Sequence, residues 1–326
     1  MQDKISNTRA ITESGIMAAI LVIIMLFTSY IFTLSLLAYI ISPTVVALIY
    51  IRNGAKYSVV AVIIALILGF VLTGLINIIT VGTVLPFVGI PLGYCIKNKK
   101  KPVNTIIYSS IGFLIVTGIN VFILTLFFYP NGIIGAVDYF VKTWNQWLNQ
   151  SKDIYLNAGV SKDIVNQMLT TYRMTETICF EILPVTMIFA AAFFGAINYK
   201  ITESIFKKLK ISMEKRRNFT YFYVPNLMVA FLIIFICIGL LLQNKNMIIG
   251  EYIYISAILL FSTLLLLDAI AYTAYFLRNR FKLPKPLIIL LIFIFIMIFN
   301  SWFVLVGVID SIFDFRKLDS NRIRKD

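Results

Sequence analysis

The chain contains no histidine. That absence removes Ser-His-Asp and Cys-His catalysis, HExxH zinc sites and histidine proton relays together. Charge is scarce as well: 13% of the 326 residues are charged, and acids number only 15. A soluble domain is about one quarter charged, so this composition does not furnish a water-solvated surface. Cysteine occurs three times, at Cys95, Cys179 and Cys237, always in or beside an apolar run and never at metal-ligand spacing. Neither a disulfide framework nor a metal site is expected, and the three read as small core residues. No G-x-x-x-x-G-K-[ST] loop is present, so ATP hydrolysis through a P-loop is excluded. Residues 1–10 are polar and no small-residue cleavage site follows, so a cleavable signal is not expected. The expectation is a protein without catalytic residues or a cofactor, and not an enzyme.

What the chain does have is apolar length. Hydrophobic residues make up 60% of it. The run 59–76 holds eighteen residues without a charge, and as a helix it is about 27 Å long, close to the hydrocarbon thickness of a bilayer. Ala61, Ala65, Gly69 and Thr73 recur along it at every fourth position. Such a small-residue face lets another backbone approach closely, which is how helices associate in lipid. Further runs cover 11–27, 30–50, 78–96, 103–129, 176–198, 221–242, 252–277 and 287–309. The spacing predicts an all-α polytopic transmembrane helix bundle of eight to ten spans, with nine counted. The 78–96 run carries Gly82, Pro86, Gly89, Pro91 and Gly93 and reads as kinked or broken, which lipid tolerates when neighbours satisfy the freed backbone groups.

The segment 130–175 is polar and near neutral, with four basic and three acidic residues over 135–175. Val137, Val141, Trp144 and Leu148 fall at helical spacing, and Ser161 is placed to cap a second short helix carrying Ile164, Met168 and Tyr172. Two amphipathic helices lying at the membrane interface are expected. A lid over a substrate site is the sharper alternative.

Net charge is +14, and its position explains it. Short loops rich in Lys and Arg stay in the cytoplasm. With a cytoplasmic N-terminus, the basic turns at 52–56, 97–101, 199–218 and 278–285 all fall inside, and 130–175 and 243–250 fall outside. Nucleic acid is not needed to account for the charge. The expected place is therefore a cell membrane crossed many times. Nine crossings would leave Arg316, Lys317, Arg322, Arg324 and Lys325 outside. Three alternatives remain: a hairpin broken near Asn300 and Ser301, a tail that departs from the rule, or one upstream run that does not cross.

Acids inside membrane runs are expensive and mark functional candidates. Asp268 stands ten residues before Arg278, about 15 Å up its helix and near the bilayer centre. Glu181 begins the sixth run. A cation, proton or polar-substrate site built from Asp268 and Glu181 is one reading. A structurally hydrogen-bonded Asp268 is the other. Asn120 and Asn300 are further candidates for substrate contact, although interhelical hydrogen bonding explains them and Asn77 equally. Glu176, Asp310 and Asp314 read as solvated at the interface.

Three stretches resemble the YybS-like family of bacterial integral membrane proteins, a family of unknown function. They are TESGIMAAI at 12–20, ISPTVVALIYIRNGAKYSVVAVIIALILG at 41–69, and GVIDSIFDFRK at 307–317, in which Asp310, Asp314, Phe315 and Arg316 match the family's terminal pattern. The resemblance implies the bacterial cytoplasmic membrane. The first six runs also look like the S-component of energy-coupling-factor vitamin transporters. That likeness implies a six-span unit over 1–200 that includes the segment 130–175; the basic cytoplasmic loop at 201–219 and the further membrane helices with a basic tail over 220–326 are read from charge and apolar runs and depart from it. The likeness also implies that Ala10, Ser14, Gly15, Ala18 and Ala19 form a face that docks a coupling subunit. Two functions follow as expectations. One is a solute-binding or transport component, with membrane lipids, a small-molecule solute and a coupling subunit as partners. The other is a non-transporting scaffold that recruits a cytoplasmic protein through its basic loops.

Overall fold

The computed structural model describes residues 2–214 and 218–318, with the side chains of residues 2–6, 32, 248, 300 and 301 outside that description. Among the described residues there are helices and connecting turns and no strand. The helices are α1 (Gln2–Tyr30), α2 (Ser35–Asn53), α3 (Ala55–Thr73), α4 (Leu75–Asn77), α5 (Ile90–Lys97), α6 (Pro102–Phe128), α7 (Gly132–Asn157), α8 (Lys162–Thr171), α9 (Glu176–Lys208), α10 (Asn226–Asn244), α11 (Ile248–Arg280) and α12 (Lys285–Phe313). Eight spans among the described residues are long and apolar enough to cross a membrane, and α12 adds a bent pair. The all-α polytopic bundle is what the structure has.

The chain divides into two compact units. Unit 1 comprises Met1–Arg173 and Thr186–Arg216, and unit 2 comprises Met174–Val185 and Arg217–Asp326. The expected boundaries at 200 and 219 are therefore displaced. The start of α9 belongs to unit 2, and 201–208 continue that helix as part of unit 1. Phe206, Ile211 and Met213 explain this, because they pack on Ala47, Leu92 and Ile96.

Unit 1 is arranged the way lipid demands. The buried residues of α3 are Ser58, Ala61, Val62, Ala65 and Gly69, while Val60, Ile63, Ile64, Ile67, Phe70 and Val71 are exposed. In water the large apolar side chains would turn inward. In lipid they turn out, and small ones set the contact distance. Ala61 meets Ala18 and Ile49, and a Cβ on Gly69 would stand 2.6 Å from the Met25 sulfur.

The long third run is shorter than its composition suggests. Helix α3 stops at Thr73 because Gly74 takes φ +80°, and its N–H closes the helix on the Phe70 carbonyl. The next span, Leu75–Lys97, holds two π-helical turns, Ile78–Gly82 and Leu85–Gly89. Glycines let it pack: a Cβ on Gly89 would stand 2.6 Å from Val46, and one on Gly93 would stand 2.5 Å from Tyr50.

The polar segment forms α7 and α8. Val137, Val141 and Val165 are buried, and the Trp144 indole N–H donates to the Tyr172 carbonyl at 3.0 Å, tying the pair together. Ser161 occupies the N-cap position of α8, but its hydroxyl makes no cap hydrogen bond. In unit 2, α12 bends by 112° between Lys285–Phe299 and Trp302–Phe313, with Phe299 outside helical geometry at φ −129°, ψ 42°. The break falls where the hairpin alternative put it.

Candidate functional site

Unit 2 is organised around a buried ion cluster. A Cβ on Gly307 of α12 would overlap the Leu265 carbonyl of α11, so only glycine permits this approach. Three residues beyond each member of that contact stand Asp310 and Asp268, both fully buried. Helix α12 then ends at Asp314, which takes a left-handed conformation (φ 48°, ψ 54°) that aspartate tolerates better than most residues. Its carboxylate accepts the Leu318 N–H at 2.7 Å and its carbonyl accepts the Lys317 N–H at 2.9 Å. This turn sends Arg316 back toward the helices.

Arg316 uses every donor it has. Nη2 donates to Asp268 Oδ1 and to Asp310 Oδ2, each at 2.6 Å, and Nε donates to Asp310 Oδ2 at 3.1 Å. Nη1 donates to the Thr220 and Phe222 carbonyls at 2.9 and 2.7 Å. A guanidinium has five N–H groups, and all are spent. The Tyr223 and Tyr272 rings lie 5.9 Å from its carbon, within cation–π reach. The paired side chains are 0% exposed.

The carboxylates are less well served. Backbone N–H groups of Val224 and Phe315 face Asp268 and Asp310, yet Asp268 Oδ2 and Asp310 Oδ1 lack a partner at bonding distance. Two acids share one base.

Several expectations are corrected here. Asp310 and Asp314 are not solvated, because the turn folds over them. Ala269, next to Asp268, packs on Ile288 and Ile292 of α12, but α10 does not reach this level. Val229, in the first turn of α10, packs against Leu265, so Asp268 lies level with the linker that precedes α10. Helix α11 simply continues past its neighbour. Glu181 does not join Asp268 either. It is buried elsewhere, and Ser256 donates to its carbonyl at 3.0 Å. Ser256 precedes Asp268 by twelve residues, about 18 Å along α11. The partner that composition could not single out was Arg316, which the sequence offered as one basic residue of the tail and as part of the family's terminal pattern. The signal was the DSIFDFR stretch, since it sets an arginine beside acids that would otherwise be costly to bury.

The remaining candidates fall in unit 1, apart from Asn300, whose side chain lies outside the described residues. Asn120 Oδ1 faces Thr83 Oγ1 at 3.5 Å, and Thr83 also donates to the Ile79 carbonyl at 2.6 Å. Asn120 therefore sits against the π-turned span. Asn77 donates to the Met25 carbonyl and Ser29 and accepts from Thr28. Asn198 donates to the Ile40 carbonyl at 2.6 Å, one turn from a 2.8 Å hydrogen bond between Thr44 and Thr202. Ser42 Oγ, Ser58 Oγ, Ser109 Oγ and Asn198 Oδ1 are buried without a partner among the described residues.

The five-residue face on α1 is split. Asn53 donates to the Ala10 carbonyl and to Ser14, and Ala18 packs on Ile49 and Ala61. Gly15 and Ala19 are exposed. Three of the five thus serve unit 1 itself. Ala61, Ala65 and Gly69 are buried toward α1, and Thr73 donates to the Gly69 carbonyl.

No curated protein and no solved structure matches the chain, so the likeness to S-components stands on the sequence resemblance alone. A family model described as a predicted membrane protein matches residues 19–311, from within α1 to the last turn of α12, which fits the YybS-like resemblance. The chain belongs to this DUF2232 family of membrane proteins.

Proposed function

We propose that the protein is a solute-binding or transport component of the membrane, with unit 1 handling a small polar solute. The observation that carries this reading is the span Leu75–Lys97, interrupted by two π-helical turns and half buried among its neighbours. Interrupted spans are where transport proteins build solute sites, because only lined or cavity-facing backbone tolerates irregularity in lipid. The buried and unpartnered Ser42, Ser109 and Asn198 oxygens, with Asn120 beside Thr83, supply polar groups that ask for a partner. No catalytic role accompanies the reading.

The orientation is part of the proposal. The basic turns 52–56, 97–101, 199–218 and 278–285 share the cytoplasmic side with the N-terminus, and α7 with α8 lies outside. A bent α12 that does not cross returns the basic tail to the cytoplasm. Impermeant thiol labelling of cysteines introduced at Lys99 and Asp153 should tag only the second in intact cells, and the reverse pattern overturns this orientation.

The function is tested on purified protein by thermal stabilisation across vitamins, nucleosides and metal salts. Stabilisation by one solute, lost in Asn198→Ala and Asn120→Ala, supports a solute site. No stabilising solute, together with a stoichiometric co-purifying protein, overturns it in favour of a scaffold.

A further inference from the structure

The Asp268–Arg316–Asp310 cluster does not balance its charge. Two ionised carboxylates against one guanidinium leave one negative charge, fully buried. Every Arg316 donor is already used, so the excess is not met by rearranging that side chain. Among the described residues, the titratable and charged groups that face the pair are Arg316 and Asp314 from the α12 turn, Tyr272 from α11 and Tyr223 from the linker before α10. None of these adds a second positive charge. The imbalance sits where one oxygen of each carboxylate, Asp268 Oδ2 and Asp310 Oδ1, has no bonding partner among the described residues.

We propose that Asp268 and Asp310 together hold one proton at neutral pH, so that the cluster is neutral and is a proton-binding site. Close carboxylates that cannot both ionise share a proton in this way. Arg316 keeps both acids within reach of one Nη2 group and lets the proton reside on either. A hard metal cation is the weaker occupant. Calcium takes six to eight oxygen ligands, and among the described residues no group of three or more His, Cys, Asp or Glu is placed to hold a metal. The inference concerns unit 2 and does not depend on the solute proposed for unit 1.

The test is infrared spectroscopy of the full-length protein in nanodiscs of neutral lipid, in H2O and D2O at neutral pH. The wild type should show a protonated-carboxyl band that disappears in Asp268→Asn and equally in Asp310→Asn, since either change leaves one acid paired to one base. Both variants are near-isosteric. They should also lose the fall in unfolding temperature that the wild type shows on raising the pH. The idea is overturned if the band is absent, if it survives both substitutions, or if only one removes it. It is also overturned if sodium stabilises the wild type in place of the band.

Discussion

Units 1 and 2 both hold apolar helices together in a medium that gives little reward for burying apolar surface. They do it with different chemistry. Unit 1 relies on close packing at small residues, with neutral hydrogen bonds such as Asn77 to Met25 and Thr44 to Thr202 inside. Its ion pairs, Arg52 with Glu13 and Lys142 with Asp138, are partly exposed. Unit 2 has few small-residue contacts, chiefly Gly239 on Tyr254, Gly250 on Gln243 and Gly307 on Leu265, and places an ion cluster at 0% exposure where the linker, α11 and the α12 turn meet. Neutral polar bonds in membrane helices contribute about 0.6 kcal/mol on average. Breaking a buried ion pair costs several times more, because a charge is left stranded. The contrast therefore predicts many small contributions in unit 1 and one concentrated contribution in unit 2.

The sharpest way to break that contrast is to compare two arginines. Arg316→Ala should destabilise by about 3–5 kcal/mol in thermal unfolding, since two buried acids lose the one cation that pairs with them among the described residues. Arg52→Ala should cost less than about 1 kcal/mol, as exposed pairs do. Equal effects would dissolve the distinction. Next comes close approach, which both units use. Gly307→Val in unit 2 and Gly195→Val against Ser110 in unit 1 should each cost about 1–3 kcal/mol by overpacking. Gly15→Val has nothing within 4 Å of the added Cβ and should leave the unfolding temperature unchanged. The turn that returns Arg316 is a smaller effect. Asp314→Val should cost about 1–2 kcal/mol for its left-handed backbone, whereas Asp314→Asn should cost little. Smallest is Asn77→Leu, expected near 1 kcal/mol or below despite three hydrogen bonds. A loss as large as that of Arg316→Ala would show that unit 1 also concentrates its stability.

How far the sequence reached differs between the units too. The apolar runs and the kinked 78–96 run were legible because length, charge and Gly/Pro content act locally, and the break near Asn300 was one of three alternatives that the tail charge left open. Gly74 was not legible, since one positive φ inside an apolar run leaves no trace in hydropathy. The pairing of Asp268 was not legible either. Arg316 lies 48 residues away in the chain, and its path back depends on the Asp314 turn. Counting from Arg278 placed Asp268 along α11 but did not show that it lies beyond the first turn of α10, where Val229 meets Leu265. The α1 face of Ala10, Ser14 and Ala18 was visible as small residues, but spacing alone does not say whether a face meets α2 and α3 or a separate subunit.

The sequence by itself determined that these helices have lipid for a solvent, which runs are long and apolar enough to cross it, and that an acid among them is costly and asks for a partner. Only the tertiary structure decided which partner. A helix apolar on all sides carries no amphipathic stripe to choose its neighbour, so the choice passes to the few points where backbones touch. In unit 2 the contact of Gly307 with Leu265 brings Asp310 and Asp268 together, and the turn at Asp314 delivers one arginine to two acids.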